Sequence, residues 1–416
     1  MGFGFFHKAD QKLITTKSTR IGKIQNCGQC GLWKNCRSPK MPATGDGQKG
    51  ILIVAEAPGE TEDRRNKQLI GAAGKLLRGM VKSLGLDLDV DFRKINAINC
   101  RPPDNRTPTK KEIACCRPMV MKEIERFKPK MIILMGGVAV ESVLGRDGGI
   151  FRWRGSVIPD RDFGCWVAPM FHPSFVLRSD GNPAVEKVFL SDLKRAVTTA
   201  LEQPFPVYKR EQDQIEVLDD WEAVNDYLKK LNLDWFGKFF AFDYETTGLK
   251  PHAKGHRIVT CSICSEPDRA VAFSMNKKIF DGLRSVLRTM HLGKIAANMK
   301  FEDTWSIHML GTRVNNWVWD TMLAAHFLDN REKQTSLKYQ AYIRYGTPDY
   351  DSHIQPYLEG KEKNNANSLN RILELNRQEL LVYNGIDSLL EYRLALDQAK
   401  EMGMCWSDEH CKFIRK

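Results

Sequence analysis

Five acids and four cysteines in this sequence have the types and spacing that do chemistry. Asp243 and Glu245 end the run Phe239-Phe240-Ala241-Phe242-Asp243-Tyr244-Glu245, which reads as a strand. Residues two apart on a strand face the same side, so the two carboxylates converge. That convergence is costly unless a cation sits between them, and a divalent metal ion is the natural candidate. Two more polar elements follow. Asn298-Met299-Lys300-Phe301-Glu302-Asp303 opens a helix through Leu310, and Tyr383 and Asp387 lie in a long helical pattern to about Lys400. At i and i+4, Tyr383 and Asp387 share one helix face. Cys27-Gly28-Gln29-Cys30 is a C-x2-C pair, and Cys100 and Cys116 form a wider pair, C-x15-C. Four thiolates brought together by the fold would suit an iron–sulfur cluster or zinc, and spacing alone does not choose between them. Cys36, Cys115 and Cys165 read as buried bystanders.

The elements that must position these residues fall into two series. In the first half, strands at Ile51–Ala55, Arg93–Asn99, Met131–Met135 and Val167–Phe171 alternate with helical patterns at Ala72–Leu84, Thr109–Phe127 and Gly136–Leu144, and the segment Val185–Leu201 closes the domain. That order predicts a parallel sheet covered on both faces, with ligands beyond the carboxyl ends of the strands. The polar segments Glu56–Asp63, Cys100–Arg106 and His172–Ser174 all follow strands. The segment 203–210, with Pro204 and Pro206, reads as a linker. Beyond it, Gln214–Asn232 reads as a helix, and Arg257–Cys264 and Arg269–Met275 as further strands of a second sheet.

Charge divides at the same place. The chain of 416 residues has a formal net charge of +12, yet 36 basic and 21 acidic residues precede position 211, against 27 and 30 after it. A basic first half implies a polyanionic partner. At roughly 100–200 residues per domain, the length suggests two or three domains. No apolar run approaches the ~18–20 residues of a spanning helix, so no membrane association is expected. An odd count of 11 cysteines and a start without a signal-peptide pattern lead us to expect a reducing, cytoplasmic setting.

From about Cys27 to Leu201 the chain resembles the family-4 uracil-DNA glycosylases. The resemblance is carried by Ala55-Glu56-Ala57-Pro58-Gly59-Glu60-Thr61-Glu62-Asp63, Gly71-Ala72-Ala73-Gly74-Lys75-Leu76-Leu77, the run from Asn96 to Arg106, and His172-Pro173-Ser174-Phe175-Val176-Leu177-Arg178. It implies a [4Fe–4S] cluster on Cys27, Cys30, Cys100 and Cys116. It also implies Asn96 as the uracil reader, His172 as the donor to the developing uracil anion, and Glu62 as the group that positions water. Ala57 and Leu69 fall at base-contact positions, and Asn105 and Arg178, with Arg101 and Arg106, at the phosphate grip. Two departures stand out. Leu69 replaces the family's stacking Phe, losing a base–aromatic contact worth about 1–3 kcal/mol, and Ala55 replaces the opening Gly.

From about Phe239 to Ala399, the order D-x-E, N-x-K-F-E, Y-x3-D, with Asp320-Thr321-Met322-Leu323 between, resembles the 3′–5′ exonuclease domain of family A DNA polymerases, the tyrosine form of the DEDD nucleases. The resemblance implies that Asp243, Glu245, Glu302 and Asp387 hold two Mg2+ or Mn2+ ions, with Asp303 the fallback for Glu302, and that Tyr383 orients the attacking water.

The expected molecule is α/β in two domains: residues 1–205, an αβα parallel-sheet glycosylase-like domain, and 206–416, a ribonuclease H-like exonuclease domain with a mixed sheet. The expected function is removal of nucleotides from DNA 3′ ends or single strands, joined to excision or recognition of uracil. The alternatives are a first domain that only docks DNA or a polymerase, and a nuclease acting on RNA. With about thirty residues after Asp387, the expectation is a separately encoded polymerase or a sequence cut at its C-terminus.

Overall fold

In the computed structural model, residues 27–146, 149–179, 181–234, 238–360, 362 and 365–415 are described. The chain divides into two compact units between Pro206 and Val207, with Ile343–Gly346 grouped with the first.

The first unit is a five-stranded sheet in the order β2-β1-β3-β5-β4, where β1 is Ile51–Ala55, β2 Phe92–Asn96, β3 Met131–Met135, β4 Ile158–Asp160 and β5 Cys165–Met170. The pairs of β1 with β2, β1 with β3, and β3 with β5 are parallel. β1 and β3 are buried throughout, as strands covered on both faces must be. The covering helices are α1 (Glu60–Arg65), α2 (Ala72–Ser83), α3 (Lys110–Phe127), α4 (Gly137–Leu144), α5 (Pro173–Arg178) and α6 (Pro183–Glu202). Thr109 caps α3 through a capping box with Glu112, which satisfies two orphan backbone donors at once. The short strand β4 joins the edge antiparallel to β5; three residues leave too little alternation to read from sequence.

The second unit is a six-stranded mixed sheet in the order β11-β10-β7-β8-β9-β6. Its strands are β6 (Ile215–Leu218), β7 (Phe239–Thr246), β8 (Ile258–Glu266), β9 (Arg269–Ser274), β10 (Gly293–Ala296) and β11 (Trp317–Asp320). The long helix expected from Gln214 is instead β6, parallel to β9, followed by α7 (Trp221–Asp234). Ile215 and Val217 alternate as a strand, and sheet pairing captured them from the helical pattern that follows. The remaining helices are α8 (Phe280–Arg288), α9 (Met299–Trp305), α10 (Thr321–Leu328), α11 (Leu337–Tyr345) and α12 (Arg377–Glu401), and a hairpin of β12 (Met404–Ser407) and β13 (Lys412–Arg415) closes the chain.

The alternation of β7 decides where its acids point. Phe240, Phe242 and Tyr244 enter one apolar cluster, while Phe239 and Ala241 enter another that contains Leu389, Tyr392 and Ala395 of α12. Asp243 and Glu245 continue the second face, so they meet α12. Close approach of that helix needs Gly385, where a Cβ would lie 2.4 Å from Ile215 Cγ2. Among the described residues no helix is long and apolar enough to cross a membrane.

Candidate functional site

In the second unit, carboxylate oxygens of Asp243, Glu245 and Asp387 lie within 4.8 Å of one another. The helix α12 that delivers Asp387 is capped by the Asn376 side chain, which accepts from the backbone amides of Gln378 and Glu379. One residue before Gly385, Asn384 Nδ2 donates to Asp243 Oδ2 at 2.6 Å and fixes that carboxylate. Glu302 is 2% exposed, and its Oε2 has no hydrogen-bond partner among the described residues. The strand–helix turn that carries Glu302 is held by Asp320, whose carboxylate accepts from the amides of Asn298 and Met299 while capping α10. Asp303, the fallback acid, is committed elsewhere: its Oδ1 accepts from the Val314 amide at 3.0 Å. Glu302 is therefore the acid of that turn that faces the cluster.

The electrostatics are those of charges without enough compensation. Burial, then the neighbouring Asp387, pushes Asp243 up to about 8, against the opposing pull of Lys338 and Asn384. Burial followed by Asp243 raises Glu245 and Glu302 above the usual carboxylate range. Burial also raises Tyr383, which stays a neutral phenol. Crowded buried carboxylates with an unpartnered oxygen fit a multivalent cation, because only a charge of opposite sign relieves both burial and mutual repulsion.

Four residues at this site carried no signal that sequence reasoning used. Lys338 on α11 is ion-paired with Asp387 Oδ1. Tyr350 Oη donates to the same oxygen at 2.5 Å. Glu391, one turn beyond Asp387, is buried; its Oε1 accepts from the Ala297 amide at 3.1 Å, and Oε2 is unpartnered among the described residues. Asn384 was readable, since it lies between Tyr383 and Asp387.

In the first unit the polar residues gather at the carboxyl ends of the strands. His172 caps α5, with Nδ1 accepting from the Ser174 amide at 3.2 Å. Burial and then Arg178 hold its pKa down to about 4, so the ring is neutral at physiological pH. With Nδ1 the acceptor, Nε2 carries the proton and is the available donor. A Cβ built on Gly136 would lie 3.4 Å from His172 Cβ and 3.6 Å from Glu56 Oε2, so Glu56, Gly136 and His172 meet at the ends of β1, β3 and β5. Glu56 belongs to this site although only its motif was singled out; burial raises its pKa and Arg178 opposes that rise.

The other expected residues of the first unit are placed as follows. Asn96 is buried at the end of β2, and its Nδ2 donates to Gln68 Oε1. One oxygen of Glu62 is engaged by its own loop: Oε1 accepts from the amides of Ile70 at 3.0 Å and Gly71 at 2.6 Å. Leu69 is buried in the core, at a left-handed φ of 51°. Ala57 is half-buried, and Arg178 and Asn105 are exposed, with Asn105 Oδ1 accepting from Arg101 Nε at 2.8 Å. Arg106 is ion-paired with Glu112.

The cysteines lie near one another in the first unit, although among the described residues no three of their sulfurs come within 4.8 Å of one another. Burial first pushes Cys116 up to about 12, and Cys100, Cys30 and Cys27 add to the rise. Burial pushes Cys100 up to about 11, against a hydrogen bond from the Lys40 amide, with Cys36 and Cys30 also raising it. The two pairs of cysteines thus interact electrostatically in one neighbourhood, and a soft metal centre there would draw on their thiolates. Cys36 lies beside Cys100, and Cys115 beside Cys30.

Comparison with known proteins agrees with this division. Residues 42–194 match the uracil DNA glycosylase superfamily, and residues 215–353 match a 3′–5′ exonuclease domain. A type-4 uracil-DNA glycosylase of Sulfurisphaera tokodaii is 34% identical over 180 residues, 42% of this chain and 80% of that protein. Its counterpart in Thermotoga maritima is 34% identical over 175 residues, 42% of this chain and 89% of that protein. A DNA polymerase of Bacillus phage SP01 is 28% identical over 353 residues, an alignment that takes in 76% of this chain but only 37% of the polymerase. The chain belongs to the type-4 uracil-DNA glycosylase family through its first unit, and it carries a 3′–5′ exonuclease domain in its second.

Proposed function

We propose that this protein is a DNA-processing hydrolase whose second unit removes nucleotides from DNA 3′ ends and whose first unit recognises uracil. The observation that carries the reading is the convergence of Asp243, Glu245 and Asp387 within 4.8 Å, next to the buried, unpartnered oxygen of Glu302. Asp243, Glu245, Glu302 and Asp387 would hold two Mg2+ or Mn2+ ions. Bound there, such ions stabilise both the attacking and the leaving oxygen of a phosphodiester hydrolysis. Asn384 fixes the Asp243 carboxylate, and Tyr383, a neutral phenol one turn before Asp387, positions the attacking water. Alignment of both units with one DNA polymerase supports an editing role at a primer terminus, with a polymerase as the functional partner.

In the first unit, Asn96 reads the base, and neutral His172 donates from Nε2 to the oxyanion that forms as the glycosidic bond breaks. Glu62 holds the 70–71 backbone through Oε1, and Glu56 lies beside His172 across Gly136. Cys27, Cys30, Cys100 and Cys116 would hold a [4Fe–4S] cluster with a structural role, which iron and acid-labile sulfide content would establish.

The nuclease reading is tested with a 5′-labelled single strand in Mg2+, together with an RNA of the same sequence. The expected result is a ladder that shortens from the 3′ end of the DNA and vanishes in Asp243→Ala and Asp387→Ala. Undiminished degradation by both variants would refute it.

A further inference from the structure

We propose that Gln68 is a built-in occupant of the uracil-reading position, so that its carboxamide must withdraw before a base is admitted. The proposal rests on the reading of Asn96 as the group that recognises uracil. Asn96 can do so because a carboxamide offers one donor and one acceptor to the uracil edge, whose carbonyl oxygen accepts and whose ring N–H donates. In this chain one N–H of the donor half is already taken. Asn96 Nδ2 donates to Gln68 Oε1, and Gln68 Nε2 donates onward to the Pro42 carbonyl at 3.2 Å. Gln68 is fully buried and Asn96 is 2% exposed, so water does not compete for this pair. A glutamine carboxamide also presents a carbonyl beside an N–H, the same pairing that uracil would bring to Asn96.

The loop that delivers Gln68 is clamped rather than loose. Glu62 Oε1 accepts from the amides of Ile70 and Gly71. Leu69 sits at φ 51° with its side chain in the core. A Cβ on Gly74 would come within 2.0 Å of the Leu69 carbonyl oxygen, so the start of α2 packs directly against the loop backbone. Two consecutive residues therefore work against base capture in different ways: Leu69 offers no aromatic face, and Gln68 fills the hydrogen-bonding position. The bonded atom is the carboxamide nitrogen, the side of Asn96 that a uracil carbonyl would approach, so Gln68 and the base contend for the same side.

The test uses the full chain, with a single-stranded oligonucleotide carrying one deoxyuridine and 3′-phosphorothioate linkages that resist exonuclease trimming. Excision is read as alkali-labile breaks, and binding as fluorescence anisotropy against the thymine-containing strand. The variants are Gln68→Ala, Gln68→Ser, Gln68→Ala/Leu69→Phe and Gln68→Ala/Asn96→Ala, each checked by thermal melting and by nuclease activity on an unmodified strand. Gln68→Ser keeps a polar group at the site should the alanine variant fail to fold. The expected result is a gain of about tenfold or more in uracil preference or excision for the Gln68 variants, abolished by adding Asn96→Ala. A wild-type protein that already prefers uracil, with folded Gln68 variants no better, would overturn the role of Gln68 while leaving the uracil reading intact. Absence of any preference for uracil over thymine in wild type, both Gln68 variants and Gln68→Ala/Leu69→Phe would overturn the uracil reading, and this inference with it.

Discussion

Lys338 and Asp387 form an ion pair inside the acidic cluster, with the lysine ammonium 4.7 Å from the ring centroids of both Tyr350 and Tyr383. The cluster therefore holds a cation of its own, Lys338, between two aromatic rings and one carboxylate.

That pairing makes divalent-ion affinity sensitive to Lys338. The ammonium and a metal ion contend for Asp387, so Lys338→Met should tighten Mn2+ binding roughly threefold to tenfold, about 1 kcal/mol of relieved repulsion at a partly screened site. Isothermal titration of the wild-type and variant chains with Mn2+ reads this directly. Unchanged or weaker affinity would show that the lysine does not compete with the ion.

Asn384 acts through Asp243, the carboxylate it fixes. Groups that orient metal ligands typically contribute 10–100-fold, so Asn384→Ala should weaken Mn2+ affinity by about that factor. Asp387→Ala, which removes a ligand outright, should cost more. Nuclease rates across a Mg2+ titration separate the two, since excess metal restores Asn384→Ala and not Asp387→Ala.

Without divalent ions, stability should fall as pH rises. Asp243 titrates near 8 in the folded chain, far above an unfolded aspartate, so the native state binds more protons than the unfolded state between about pH 4 and 8. Glu245 and Glu302 shift in the same direction. In EDTA the melting temperature of the second unit should drop from pH 5 to pH 8, and Mg2+ should offset the drop most at the alkaline end. Asp243→Asn should flatten the profile. A melting temperature that rises over this range in EDTA would contradict the assignment.

Gly385 is a helix-interior glycine retained for space. Glycine costs a helix about 1 kcal/mol relative to alanine, yet Gly385→Ala would set a methyl group 2.4 Å from Ile215 Cγ2. Overpacking typically costs about 1–3 kcal/mol, so a net loss of stability of up to about 2 kcal/mol is expected. Denaturant melts check this, and Ile215→Ala in the same chain should recover part of the loss.

Much of this site was legible because local periodicity carried it. The D-x-E spacing on β7 and the Tyr383-to-Asp387 spacing on α12 each fix a face, and the packing of α12 on that face brings the acids together. Other contributors lie beyond any periodic signal. Lys338 and Tyr350 are 49 and 37 residues from Asp387, and only the path of the chain between α11 and α12 makes them neighbours. In the first unit the motif carrying Glu62 was visible, but not that backbone amides of its own loop would claim the carboxylate. Gln68 illustrates the same limit: an amide buried against Asn96 looks, in sequence, like any polar loop residue. The strand Ile215–Leu218 was hidden because four residues of alternation adjoin a longer helical pattern.

The most direct test of the central claim is an anomalous difference map from crystals of the full chain soaked in Mn2+. The account predicts manganese peaks bounded by Asp243, Glu245, Glu302 and Asp387, lost in Asp243→Ala crystals. No anomalous density among these four acids, in a protein that still shortens DNA from its 3′ end, would contradict it.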